Sequence, residues 1–193
     1  NSHQRSETKC IHIRSSNASK PLNVIKSTFD YCKIIVEEAT DKKDEVTGKL
    51  KGVALHVQDS ELSHSTASAN YIGYDLLRST ISNSGLYAAN HARLSLFSSA
   101  TSNTRISSTA NGHVCILDSQ VYGNRIYASG YNLTMKNSLV RNALVYAHAD
   151  YRYSGNDGIN IDNCVFHYNQ SPSDLAPGSM SPTNFMLHFS SES

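Results

Sequence analysis

The chain has 193 residues, 39% of them hydrophobic and 17% charged, with a net charge of +1. That length suits one sizeable domain, and the near-neutral balance argues against nucleic-acid binding and against electrostatic attachment to membranes. No apolar run approaches the roughly 20 residues that span a bilayer, which argues against membrane insertion, and eleven tyrosines with no tryptophan accompany abundant Ser and Asn.

From the N-terminus onward one phrase recurs. Its anchor stands at Ser6, Ser27, Ser60, Ser79, Ser99, Ser119, Ser138, Cys164 and Ser190, with central spacings of 19 or 20 residues. Five residues before the anchor come Leu22, Leu55, Tyr74, Leu94, Val114, Leu133, Ile159 and Phe185. Three before it come Val24, Val57, Leu76, Leu96, Ile116, Met135, Ile161 and Leu187. The residue between those columns is usually polar, as at His56, Asp75, Ser95, Thr134 and Asn160. Two after the anchor stand Phe29, Leu62, Ile81, Val121, Val140 and Phe166, and seven after it Ile13, Ile34, Leu86, Ile106, Ile126 and Val145.

This alternation has a strand period with one buried face, and no helical spacing lasts more than a turn. A repeat of about 20 residues that cannot bury its apolar face alone must stack on its neighbours. The expectation is all-β: a single right-handed parallel β-helix of about eight or nine coils, covering 1–193 as one domain. Left-handed backbone is expected at the corner four after the anchor, at Asn83, Asn103, Gly123 and Asn142, whose amides could bond up the column. A second corner is expected at Asn111-Gly112 and Gly130. Loop excursions are expected near 39–50, with its charged run Asp41 to Glu45, near 149–157, and near 169–183, which holds three prolines. Coil positions already filled at Ile13 and still filled at Leu187, with no capping helix, suggest a fragment of a longer protein. They also suit ends covered by partners, by oligomerisation or by the chain's own loops.

The column pattern resembles the pectin-lyase-like superfamily of right-handed β-helices over nearly the whole chain, as architecture. That resemblance implies polysaccharide lyase or glycoside hydrolase chemistry as an alternative function. The stretch "SGNDGINIDN" resembles the Asn-x-Asp-Gly-x-x-Ile motif of polygalacturonases, which makes Asp157 and Asp162 candidate catalytic carboxylates. The stretch lacks the intervening residue, and the family's Asp-Asp, Gly-His-Gly and Arg-x-Lys elements do not follow it.

The face six, eight and ten residues after the anchor should point to solvent. It carries Arg105 and Arg125 in one column, Tyr87, Tyr127 and Tyr146 in the next, and Thr109, Ser129 and His148 in the third. Tyr rings offer flat apolar faces with a hydroxyl handle, and stacked arginines would share an anion. The expected function is a secreted or surface-exposed module, tailspike- or adhesin-like, that binds extended, acidic polysaccharide through Tyr87, Arg105, Arg125, Tyr127, Tyr146 and His148. A protein-binding solenoid, such as a bacterial effector or assembly component, is a further alternative. The nine histidines show no metal-ligand spacing, so neither metal nor cofactor is expected. Adjacent coils would bring Cys10 and Cys32 to disulfide distance, while Cys115 and Cys164 should stay unpaired.

Overall fold

The computed structural model describes residues 8–15, 20–38, 52–123, 125–128, 132–150, 158–167 and 187–192. Every regular element among them is a strand, and the strands form three parallel sheets. Sheet I stacks Thr8–Ser15, Cys32–Glu38, Thr66–Asn70, Gly85–Ala89, Arg105–Thr109, Arg125–Ala128, Leu144–Asp150 and Leu187–Glu192. Sheet II stacks Leu22–Ile25, Val53–Gln58, Gly73–Leu77, Arg93–Phe97, His113–Leu117, Asn132–Lys136 and Ile159–Asp162. Sheet III stacks the short strands Thr28–Asp30, Glu61–Ser63, Thr80–Ser82, Ala100–Ser102, Gln120–Tyr122, Leu139–Arg141 and Val165–His167. Consecutive strands never pair with each other in this order: each pairs with the strand three places on, so the chain winds as a β-solenoid.

The columns of like residues fill the interior. Ile106, Ile126 and Val145 are register partners and almost fully buried, as are Leu76, Leu96 and Ile116 on the opposing sheet. Tyr74 crosses this core: its hydroxyl donates to the Ala67 carbonyl at 3.0 Å and accepts the Tyr87 N–H at 3.2 Å. Desolvation pushes its phenol far above the usual tyrosine range.

Two corners are built alike. A residue in the left-handed region turns the chain outward, and the next residue sends a hydroxyl inward. Lys26, Asp59, Arg78, Ser98, Asp118, Asn137 and Asn163 turn the corner from sheet II to sheet III, with φ between 46° and 52°. After each except Asn163 comes the anchor Ser, whose Oγ donates to the carbonyl two residues back. In the central coils that Oγ also accepts the N–H of the preceding coil's anchor: Ser60 to Ser79, Ser79 to Ser99, Ser99 to Ser119 and Ser119 to Ser138, at 3.1–3.2 Å. Backbone hydrogen bonding reverses direction here: the Arg78 N–H reaches the next coil's Phe97 carbonyl, whereas the Thr80 N–H reaches back to Ser60. The intervening amide has no ladder partner, and the Ser hydroxyl supplies one. Ser65, Ser84 and Thr104 play the same part at the corner from sheet III to sheet I, where Cys32 and Ser65 donate to the hydroxyls of Ser65 and Ser84. The third corner is a two-residue turn with both central φ positive, at Asn90-His91 and Ala110-Asn111.

Several expectations need correction. Six coil-to-coil steps separate the first and last strands of each seven-stranded sheet, so the described residues make about six turns, against the eight or nine coils expected. Cys10 is an extra residue in its strand, and the resulting bulge puts Ile11 opposite Ile34 and Ile13 opposite Val36, so Ile13 belongs two positions on. Leu187 lies in sheet I opposite Val145, not in the column of Ile161, so Ser190 is no anchor. Leu22, expected inside, is 49% exposed because it lies on the first described strand of its sheet. Amide-to-amide bonds join Asn137 to Asn163 and Asn70 to Asn90, not the Asn83 and Asn103 column. Ala149 and Asp150, expected in a loop, continue the strand Leu144–Asp150. Ser6, Gly130, Phe185 and the excursions at 39–50, 151–157 and 169–183 lie outside the described residues.

Candidate functional site

The outward face of sheet I gathers most of the residues singled out above. Arg105 and Arg125 are direct register partners, both exposed, and among the described residues neither side chain forms an ion pair or hydrogen bond. Two guanidinium charges one coil apart, about 4.8 Å in a ladder, repel by roughly 1 kcal/mol even at the dielectric of water. Tyr127 and Tyr146 are partners in the next column, their rings stacked with centroids 4.6 Å apart and 10° between planes. Tyr87 belongs to that column as well, but Ser107 separates it from Tyr127.

The tyrosines therefore do not form three consecutive open platforms. Tyr127 and Tyr146 spend one face on each other, a contact worth about 0.5–1.5 kcal/mol. Tyr127 keeps its other face toward the small Ser107 and is 41% exposed. The Tyr87 ring leans sideways: its Cε2 and hydroxyl lie 2.6 and 2.7 Å from where a Cβ on Gly85 would stand, so a side chain at that position would have to push the ring aside. His148 is in sheet I opposite Ser190, and its side chain lies outside the description. Asp162 is exposed at the end of its strand opposite Lys136, and Asp157 lies outside the described residues, so no carboxylate pair is assembled among those described.

Cys10 and Cys32 form a disulfide with Cα atoms 5.5 Å apart, between the first two strands of sheet I. Cys115 and Cys164 are free. Burial pushes the Cys115 thiol up, so it is no activated nucleophile.

Two polar groupings escaped the sequence reading. On the outer side of sheet II, Asp75 is buried with Arg93 Nη2 3.2 Å from one carboxylate oxygen and His56 Nδ1 3.2 Å from the other. His56 and Asp75 occupy the polar column already noted, and register alone makes them neighbours. At the corner between sheets II and III, Arg78 donates twice to Asp59, from Nε at 2.7 Å and Nη2 at 3.0 Å. Those bonds, with one from Gln58, hold the Asp59 carboxyl down to about 2. A shallow groove of about 540 Å³ runs beside the pair, lined also by Lys26 and Glu61. Its Arg78 charge is already matched, which leaves the unmatched arginines of sheet I as the better candidate.

No family model matches the chain, and a search of curated proteins returns no match. Among solved structures, the chain is similar to a trypsin-treated variant of QnrB1, described as a plasmid-mediated fluoroquinolone resistance protein. The identity is 11%, the match covers 79% of this chain and 87% of that one, and the TM-score is 0.28. A likeness at that level assigns neither family nor function.

Proposed function

We propose that the chain is a carbohydrate-binding solenoid whose outward face on sheet I takes an extended acidic polysaccharide. One observation carries the reading: two exposed arginines stand side by side with no acid paired to them among the described residues, next to Tyr127, which is 41% exposed. A uronate or sulfate shared by Arg105 and Arg125 would turn their repulsion into two charge-assisted hydrogen bonds. Tyr127 would stack on the adjoining sugar ring. A parallel β-solenoid is the fold that the sequence resemblance to the pectin-lyase-like superfamily implies, while the described residues supply no pair of carboxylates for hydrolysis. A Cys10–Cys32 bridge suits an oxidising compartment, so the module would act outside the cell or on its surface.

The test is equilibrium binding to immobilised acidic and neutral glycans, with wild type and the Arg125→Ala/Tyr127→Ala double variant. Both residues are exposed, so the variant should fold. Binding to acidic glycans that falls at least tenfold in the variant supports the proposal. Unchanged binding, or equal binding to neutral glycans, refutes it.

A further inference from the structure

The column that contains Arg105 and Arg125 extends further than the repeat suggested. In register order it reads Lys9, Lys33, Thr66, Gly85, Arg105, Arg125. Four cations therefore share one outward line, as two adjacent pairs separated by two uncharged residues, and no acid interrupts them. Lys9 and Lys33 are exposed. Glu37, two columns across on the same outward face, is already held by His12 Nε2 at 2.7 Å and Arg14 Nε at 3.2 Å. The Tyr87 ring leans over Gly85, within the interval between the pairs.

We infer that this line is one continuous subsite array for a linear acidic polysaccharide lying parallel to the solenoid axis. This inference rests on the proposed function and adds its direction, its length and a second cation pair. Lys9 and Lys33 take one anionic group, Tyr87 supports a sugar ring, and Arg105 and Arg125 take another anionic group. At about 4.8 Å per coil the five steps from Lys9 to Arg125 span roughly 24 Å. A disaccharide reaches one pair only, whereas a longer chain engages both and gains affinity through effective concentration. The Cys10–Cys32 disulfide ties down the strand that carries Lys9, which keeps the far pair in line.

Size-fractionated heparin oligosaccharides, from disaccharide to fragments well beyond roughly 24 Å in length, are the probe, titrated at several salt concentrations. Each ionic contact releases condensed counterions, so each lost contact lowers the log–log salt slope by about 1. The expectation for Lys9→Ala/Lys33→Ala is a loss of at least about tenfold for long fragments and a slope smaller by about two. Disaccharide binding to the arginine pair should be unchanged in that variant. Gly85→Val, which displaces the Tyr87 ring without altering charge, should weaken long-fragment binding at an unchanged slope. If long fragments bind the lysine variant as tightly as wild type, or if disaccharide and long fragments weaken equally, the array is refuted while the arginine site stands. If wild type binds no fragment of any length, the array and the proposed function fall together.

Discussion

Ser99→Ala probes the device that turns each corner. Ser99 is buried, its Oγ accepts the Ser79 N–H at 3.1 Å, and it donates to the Phe97 carbonyl at 2.9 Å. The Phe97 carbonyl also accepts the Arg78 N–H at 2.8 Å, so it remains satisfied without the hydroxyl. The Ser79 amide has no such substitute and would be left unpaired in the interior. An orphaned buried donor costs about 1–3 kcal/mol, and a single lost oxygen leaves little cavity, so a destabilisation of about 2 kcal/mol is expected. For a chain of this size that is a fall in Tm of roughly 4–8 °C. Urea denaturation should show a lower midpoint at an unchanged m-value, and hydrogen exchange should show the Ser79 amide losing protection. A loss under about 0.5 kcal/mol with Ser79 still protected would refute the ladder as the reason for serine at this position.

Ile126→Ala should cost about 2–5 kcal/mol in the same assay, because its side chain is sandwiched between Ile106 and Val145 and the site cannot collapse. Reduction of Cys10–Cys32, which closes a separation of 22 residues, should raise the mass by two daltons, and about 3 kcal/mol of chain-entropy stabilisation should be lost. The Asp59 carboxyl, depressed in the folded state, contributes stability that is present above its ordinary pKa near 3.8 and is lost as pH falls through about 2. Carboxyl NMR titration should therefore give a midpoint near 2, moving up toward the ordinary value in Arg78→Asn, which keeps a residue tolerant of the left-handed corner.

The strands were legible because apolar residues alternate along them: Leu94 and Leu96 point into the core while Ser95 between them points to the other face of the sheet, where it too is covered, and that two-residue period marks a strand. The corner after sheet III was legible because Asn and Gly occupy it. The corner before it was harder to see because its left-handed positions are mixed: Asp59, Asp118, Asn137 and Asn163 suit such a turn, whereas Lys26, Arg78 and Ser98 between them do not mark one. Ile13 and Leu187 were misplaced for a common reason. Alternation looks the same in every strand, so a two-residue misplacement of the strand bulged at Cys10, or a move of Leu187 to another sheet, leaves the pattern undisturbed. Side-chain pairing across coils was the least visible. Asp75 finds His56 and Arg93, and Tyr87 folds over Gly85, only once the register is known. Lys9 was missed as a neighbour of Lys33 because the same bulge conceals the alignment.

The vertical stacking of positions twenty residues apart underlies the serine ladder, the buried columns and the line of cations alike. Methyl-selective labelling of Ile and Val, read by nuclear Overhauser contacts, tests it directly. Strong cross-peaks linking the methyls of Ile106 to Ile126 and of Ile126 to Val145 are predicted. Well-resolved spectra in which Ile126 contacts neither would contradict the winding of the chain, and with it every surface assigned to that winding.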